Sequence, residues 1–171
     1  TMELDQLNGG DSLHDFVGPL GEPSHLSNLS RVCVVGGGLG CAIAYPSAKQ
    51  LKLEGAYVDG IIGFRNAGAV LLKDEFSAVC DRVTLLTDDG SAGSRGFVTK
   101  ALEERLEAGE RYDEVLAIGP LPMMKAVSEL TRGYGVKTTV SMNAIMVDGT
   151  GMCGGCRLTV GGQMKFACVD G

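Results

Sequence analysis

The sequence contains no tryptophan, and aromatic residues make up only 5% of its 171 positions. The formal net charge is −6 at pH 7. Proteins that bind nucleic acid neutralise phosphates with basic side chains, and those that bind single strands also stack bases on aromatic ones. The composition therefore argues against a nucleic-acid partner and against binding to an anionic membrane surface. No apolar run approaches the roughly 18 residues of a membrane-spanning helix, so we expect no membrane insertion.

Histidine is also scarce, because His14 and His25 are the only two in the sequence. A metal site in this chain would therefore depend on cysteine and carboxylate ligands. Of the six cysteines, Cys33, Cys41 and Cys80 each stand alone in apolar surroundings, which is typical of small buried side chains. Isolated cysteines beside a single C-x-x-C pair indicate a reducing compartment, so we expect a cytoplasmic protein.

The C-terminal region concentrates the candidate metal ligands. Asp148, Cys153, Cys156 and Cys168 follow the spacing D-x4-C-x2-C-x11-C. The glycines between the first three allow tight turns that direct backbone N–H groups toward thiolates. Between the last two cysteines the side chains alternate around a Gly-Gly pair, which predicts a β-hairpin. Such a hairpin would return the last cysteine to the C-x-x-C loop.

Three interpretations of this region compete. A redox-active C-x-x-C usually opens a helix after a strand, whereas this one lies in a glycine loop. A structural zinc site takes four ligands, mostly nitrogen or sulfur, and the fourth candidate here is the carboxylate of Asp148. A [2Fe–2S] cluster is bound by thiolates in loops of similar spacing. The spacing favours a metal centre over a disulfide and leaves zinc and the cluster both open.

From residue 31 onward, apolar strand-like segments alternate with amphipathic helical ones. The predicted strands cover 31–35, 58–64, 82–87, 114–118 and 136–142. The first predicted helix ends near residue 54. The other three predicted helices cover 69–80, 97–108 and 123–132. This alternation predicts an α/β fold with a five-stranded parallel sheet and helices on both faces. A small C-terminal ligand loop and a β-hairpin complete the predicted fold.

A glycine-rich turn, Gly-Gly-Gly-Leu-Gly over 36–40, follows the first predicted strand. Ligands of parallel sheets bind outside the carboxyl ends of the strands, and a glycine turn before a helix suits a pyrophosphate. Cys41 stands where G-x-G-x-x-G needs its last glycine, and Arg65 and Asn66 stand where an acidic residue is usual, so the standard dinucleotide fingerprint is absent. The turn alone therefore leaves two interpretations, nucleotide binding and simple chain reversal.

Five motifs, taken in order, resemble one known family. They are GGGLGCAIAYP, GFRN, TDDGSAGSRGFVT, GPLPMM and DGTGMCGGC with a later cysteine. The set resembles the ferredoxin–NADP reductase superfamily, and the resemblance covers residues 11–171. Within it, the sequence is most similar to the small (alpha) subunits of NADH-dependent reduced-ferredoxin:NADP oxidoreductases, also called sulfide dehydrogenases. Electron-transfer subunits of dihydroorotate dehydrogenase are near relatives.

The resemblance implies a subunit of a flavin- and iron–sulfur-containing oxidoreductase. Such a subunit passes electrons between NAD(P)H, FAD and a [2Fe–2S] cluster to a larger catalytic partner subunit. The alternative is the electron-transfer subunit of a dihydroorotate dehydrogenase. Two further alternatives are a zinc-stabilised nucleotide-binding module without a redox role and a non-catalytic docking subunit. The implied cluster ligands are Asp148, Cys153, Cys156 and Cys168. Because the dihydroorotate relatives carry four cysteines, the carboxylate at 148 favours the reductase branch.

The resemblance also implies a set of cofactor-binding residues. The expected set is Gly36, Gly37, Gly38, Leu39 and Gly40 under the pyrophosphate; Gly119, Pro120, Leu121 and Met123 at the nicotinamide; and Thr87, Asp88 and Asp89 at the adenosine ribose. A carboxylate accepts a hydrogen bond from a ribose 2′-hydroxyl and repels a 2′-phosphate. We therefore expect NAD(H) to be preferred over NADP(H), with Arg65 as the residue that argues for a phosphate.

The implied domain organisation has three parts. Residues 1–29 would be the last strand of an FAD-binding barrel, at Asp11–Val17, followed by a linker. Residues 30–145 would be the nicotinamide-nucleotide domain, and residues 146–171 a truncated cluster-binding loop and hairpin. The flavin-binding motif cannot be located in this sequence. We therefore expect FAD to bind only in the full-length protein, and the present stretch to be inactive by itself.

Overall fold

The computed structural model describes residues 2–171 and shows two compact units. Ser24–Asn143 form the larger unit. The residues up to Pro23 and Ala144–Gly171 form the smaller one. Thr1, which belongs to the predicted segment 1–29, lies outside the described residues. No helix within residues 2–171 is both long enough and apolar enough to span a bilayer.

The larger unit is built on a six-stranded parallel sheet. Its strands are β1 Arg31–Gly37, β2 Tyr57–Phe64, β3 Arg82–Thr87, β4 Ser94–Arg95, β5 Glu114–Ile118 and β6 Thr138–Val140. Their spatial order is β4-β3-β2-β1-β5-β6. The five predicted strands are confirmed, although the fifth, predicted over 136–142, covers only Thr138–Val140, and β4 is an additional strand. It has only two residues, which are too few to show a periodic pattern.

Helices cover both faces of this sheet, as predicted. The helices of the larger unit are α2 Gly40–Leu53, α3 Lys73–Val79, α4 Val98–Glu107 and α5 Leu121–Gly133. Two short helices, α1 Met2–Asp5 and α6 Ala167–Asp170, belong to the smaller unit. Strand β1 contributes side chains to the cores on both faces of the sheet, because successive side chains of a strand point in opposite directions. Val32 and Val34 pack with Phe76 of α3 and with α2, whereas Cys33 and Val35 pack with α4 and α5.

The predicted helix 69–80 is wrong at its start. α3 begins at Lys73, and a 3-10 turn at Ala67–Ala69 precedes it. Leu72 has φ of 55°, in the left-handed region that a leucine rarely adopts. This residue interrupts the backbone that the apolar spacing had joined into one helix.

A carboxylate is completely buried between β2 and α4. Asp59 accepts hydrogen bonds from Arg105, from Arg82 Nε at 3.0 Å and from the hydroxyl of Tyr112 at 2.7 Å. Arg105 also donates to Thr84 Oγ1. The carboxylate raises the pKa of Arg82 through its hydrogen bond, and burial raises the pKa of Tyr112. The network therefore keeps charged groups paired inside the unit.

The smaller unit contains a two-stranded antiparallel hairpin, β7 Arg157–Val160 and β8 Gln163–Phe166. Gly161 and Gly162 have φ of 59° and 79°, which matches the two-residue turn expected for a Gly-Gly pair. The hairpin prediction is therefore confirmed. The N-terminal and C-terminal segments contact each other in this unit, because the backbone N–H of Glu22 donates to the carbonyl of Gly171 at 2.9 Å.

The segment Asp11–Val17, predicted as the last strand of an FAD-binding barrel, does not form a strand within the described residues. This segment is irregular, and the side chains of Phe16 and Val17 are 91% and 70% exposed. A strand needs a partner to satisfy its backbone hydrogen bonds, and no partner for this one occurs within residues 2–171. Leu26 and Leu29, which we had assigned to the same N-terminal segment, pack instead against the core of the larger unit.

Candidate nucleotide groove and cysteine loop

A groove of about 420 Å³ opens at the carboxyl ends of β1, β5 and β6. Its wall consists of residues 37–40, Ile43, residues 118–120 and residues 141–143. β1 lies between β2 and β5, so the chain leaves β1 toward one side of the sheet and later returns on the other. Ligands of open parallel sheets bind at such a switch point. The volume is within the usual range of about 300–1,000 Å³ for ligand sites.

The glycine turn lets the start of α2 approach the end of β5. A Cβ on Gly40 would overlap the carbonyl oxygen of Ile118, so a larger residue cannot take this position without moving the backbone. Leu39, at the N-cap, makes no side-chain hydrogen bond to the first turn of α2. The first N–H groups of the helix are therefore free of a side-chain cap, and the helix dipole favours an anion there.

The predicted pyrophosphate and nicotinamide residues come together at this groove, with three exceptions. Gly37, Gly38, Leu39, Gly40, Gly119 and Pro120 line it. Gly36 lies behind it and faces the sulfur of Cys41. Met123 packs under Gly37 and Gly119, and the side chain of Leu121 is 60% exposed at the first residue of α5.

The predicted ribose residues lie elsewhere, after β2 and β3. Thr87 is buried, and its hydroxyl is bonded to the loop itself. The hydroxyl donates to the carbonyl of Ala92 at 2.8 Å and accepts from the N–H of Ala92. Asp89 accepts from the hydroxyl and N–H of Ser91, which lowers the pKa of that carboxyl group. The side chains of Asp88 and Arg65 are exposed. None of these four residues lines the groove.

Sequence reasoning missed the third wall of the groove. Ser141, Met142 and Asn143 follow β6, and Ile43 lies one turn into α2. Ser141 and Met142 were missed because the fifth strand was predicted to extend over 136–142, whereas β6 ends at Val140. With the observed strand end, these residues follow β6 in the same way that Gly119 and Pro120 follow β5.

The cysteine loop is held by the carboxylate of Asp148. Its Oδ1 accepts from the N–H of Thr150 at 2.7 Å and from its hydroxyl at 3.1 Å, and its Oδ2 accepts from the N–H of Cys153 at 2.9 Å. The bond from the N–H of Thr150 lowers the pKa of Asp148. The carboxylate therefore stays ionised and ties the C-x-x-C turn to the start of the loop.

Two of the predicted ligands are adjacent. The sulfurs of Cys156 and Cys168 are 3.3 Å apart, and both residues are buried. A hydrogen bond from the backbone N–H of Cys168 lowers the pKa of Cys156, whereas the Cys156 side chain raises the pKa of Cys168. The two sulfurs therefore lie within hydrogen-bond distance of each other. The hairpin produces this approach, since the N–H of Ala167 donates to the carbonyl of Cys156 at 3.2 Å.

Cys153, the third predicted sulfur ligand, is exposed, and the N–H of Gly155 lies 3.4 Å from its sulfur. Within residues 2–171, no three histidine, cysteine or carboxylate side chains converge on a single-ion position. A two-iron cluster has a different requirement, because each iron takes two protein ligands. The Cys156 and Cys168 pair fits one iron, and Asp148 and Cys153 share the loop that would supply the other two ligands.

The remaining cysteines are separate from this loop. Cys33 and Cys41 are buried and Cys80 is half-buried, all in the larger unit. Burial raises the pKa of Cys41 and of Cys80 to about 12. Such thiols remain protonated and act as small apolar side chains.

The fold and the C-terminal cysteines define a class: a ferredoxin reductase-like α/β domain followed in sequence by a cysteine loop. The family described as the iron–sulfur cluster binding domain of dihydroorotate dehydrogenase B matches residues 143–171. The structure of an NADH-dependent reduced ferredoxin-NADP oxidoreductase, determined to study flavin-based electron bifurcation, superposes with a TM-score of 0.89 and 46% identity. The superposition covers 99% of this chain and 61% of the other. The C-terminal domain of the PF1911 hydrogenase from Pyrococcus furiosus shares the fold, with a TM-score of 0.58 over 72% of this chain and all of that one.

Curated relatives identify the family. A dihydroorotate dehydrogenase B (NAD(+)) electron transfer subunit homologue from Thermotoga maritima is 49% identical over all of this chain and 60% of its own length. The electron transfer subunit from Caldanaerobacter subterraneus is 34% identical over all of this chain and 67% of its own. The chain belongs to the family of dihydroorotate dehydrogenase B electron transfer subunits and their homologues, which are subunits of oxidoreductases. It spans about 60% of the length of the Thermotoga relative.

Proposed function

We propose that this chain is the nucleotide- and cluster-binding part of a subunit that carries electrons from NADH to a larger catalytic partner. The observation that carries the proposal is the apposition of the Cys156 and Cys168 sulfurs at 3.3 Å, within the segment that matches an iron–sulfur domain. When bound, FAD and a [2Fe–2S] cluster would supply the conversion of a hydride into single electrons. The flavin would bind to a part of the full-length protein other than these 171 residues.

The residues of this chain would bind and orient rather than exchange protons. The start of α2, which has no side-chain cap, would receive the pyrophosphate at the positive end of the helix dipole, and the groove would exclude water from the nucleotide. In the loop, the four proposed ligands are Asp148, Cys153, Cys156 and Cys168. The backbone N–H groups around Cys156 would stabilise charge on the sulfur and so adjust the reduction potential.

Two partners are candidates for accepting the electrons. The solved structure at 46% identity belongs to a reduced ferredoxin-NADP oxidoreductase, and Asp148 in place of a first cysteine favours that type. The names of the similar curated proteins favour the catalytic subunit of dihydroorotate dehydrogenase as the electron acceptor. In both cases the chain would act as an electron carrier for a larger subunit.

Metal analysis of the full-length protein, purified without oxygen, tests the cluster. We expect iron and acid-labile sulfide in equal amounts, about two of each per chain, because a two-iron cluster contains two bridging sulfides. The visible absorption should bleach on addition of dithionite. One zinc per chain without sulfide would instead establish a structural zinc site and contradict the electron-transfer proposal.

The preference for NAD(H) should depend on Asp88. Its carboxylate makes no hydrogen bond with another side chain within residues 2–171, whereas Asp89 is engaged by Ser91. We expect Asp88→Asn to increase affinity for NADP⁺ relative to NAD⁺ about 10-fold, because it removes a charge that repels the 2′-phosphate. Equilibrium titration of both nucleotides measures the ratio, and Glu107→Gln, an exposed acid at the end of α4, is the control. An unchanged ratio would remove Asp88 from the ribose site.

A further inference from the structure

We propose that Asn143, assisted by Ser141, positions the carboxamide of the bound nicotinamide. This inference rests on the proposed function, since it assigns residues to the nucleotide groove. Neither residue belongs to the motifs that predicted the groove. Both follow β6, and the backbone N–H of Ser141 donates to the carbonyl of Ala117 at 3.2 Å, which fixes the segment beside β5.

The groove offers very few polar side chains. Apart from Ser141 and Asn143, its wall consists of glycine, proline and aliphatic or thioether side chains. Within residues 2–171, neither of these two side chains donates or accepts a hydrogen bond from another protein group, and both residues are exposed to the groove and to solvent. Ligand sites are mostly apolar, with a small number of polar groups that fix the orientation of the ligand. Ser141 and Asn143 have the character of such groups.

The position of these residues selects one end of the dinucleotide. With the pyrophosphate at the start of α2, the two nucleosides extend to opposite sides of β1. One side ends in charged residues after β2 and β3, among them Arg65 and Asp88, which suit ribose hydroxyls or a phosphate. The other side ends in the apolar groove after β5 and β6, which suits the nicotinamide ring.

The chemistry of the carboxamide explains why an asparagine fits. Nicotinamide carries one carbonyl acceptor and an NH₂ donor on its carboxamide, and the Asn143 side chain offers the complementary donor and acceptor. The Ser141 hydroxyl can donate or accept a further hydrogen bond. A paired carboxamide cannot rotate freely, so these contacts would fix which face of the ring is presented.

Binding of two ligands to the full-length protein tests the assignment. NAD⁺ carries the carboxamide, ADP-ribose lacks the nicotinamide, and both bind without turnover. We expect Asn143→Leu to weaken NAD⁺ about 10-fold, because the carboxamide loses its partner, and to change ADP-ribose less than about 2-fold. Ser141→Ala should weaken NAD⁺ about 3-fold with the same selectivity. Gln50→Leu, which replaces an exposed amide on α2, is the matched control.

Each alternative outcome has a distinct meaning. Equal weakening of NAD⁺ and ADP-ribose by Asn143→Leu would overturn the assignment, because the residue would then serve the phosphates, the ribose or the fold. No change with either ligand would also overturn it. A wild-type protein that binds neither ligand would overturn the nucleotide function itself, so the failure of the larger proposal is distinguishable from the failure of this one.

Discussion

Asp59→Ala is expected to destabilise the larger unit by about 3–5 kcal/mol, the usual cost of removing one partner of a buried ion pair. The cost arises mainly at Arg105, whose side chain is buried and would keep its charge without a carboxylate beside it. Arg82 is 37% exposed and can turn toward water instead. Urea denaturation followed by far-UV circular dichroism measures the change in the free energy of unfolding.

Two further variants separate the causes of this loss. Glu104→Ala removes an exposed partner of Lys100, at 3.9 Å on the same helix, and should change the free energy of unfolding by less than about 0.5 kcal/mol. The double variant Asp59→Leu with Arg105→Met should recover at least half of the loss, because it removes the stranded charge as well. A loss below about 1 kcal/mol for Asp59→Ala would show that water reaches Arg105 and that the network does not stabilise the unit.

Cys156→Ala is expected to abolish cluster binding in the full-length protein. The substitution removes one of two sulfurs that lie 3.3 Å apart, and alanine, unlike serine, has no oxygen that could replace the ligand. Replacing a residue that hydrogen-bonds to a metal ligand typically lowers metal affinity about 10–100-fold, so replacing a ligand itself should lower the affinity further. We expect the iron content of protein purified without oxygen to fall at least about 10-fold, together with the visible absorption.

Cys80→Ala is the matched control, because it removes a half-buried thiol from the larger unit and leaves the loop intact. It should retain wild-type iron and sulfide. Full iron content in Cys156→Ala would exclude this cysteine as a ligand. Loss of iron in both variants would indicate that the cluster is sensitive to stability rather than to the ligand.

The sheet could be predicted because its strands are buried on both faces. Residues 32–35 form a nearly continuous apolar run, and glycine-rich loops mark the strand ends. The hairpin and the approach of Cys168 to Cys156 followed from a Gly-Gly pair at the right distance along the chain. These features are local, so the sequence displays them directly.

Other features depend on partners that local sequence patterns do not reveal. Asp59 and Arg105 are 46 positions apart, and nothing around either residue indicates the other. The segment Asp11–Val17 has the alternation of a strand but has no partner strand within residues 2–171. The hydrogen bonds of Thr87 to the following loop were equally hidden, because a threonine at the end of a strand can bind a ligand or a backbone carbonyl equally well.

The smaller unit has a consequence for the order of biogenesis. Its two parts come from the beginning and the end of the chain, with Ser24–Asn143 inserted between them. The sheet of the larger unit can pair as soon as β6 has left the ribosome, since all its strands precede residue 141. The cysteine loop, in contrast, needs Cys168 and the contact between Glu22 and Gly171. The cysteine loop should therefore fold later than the sheet of the larger unit during synthesis.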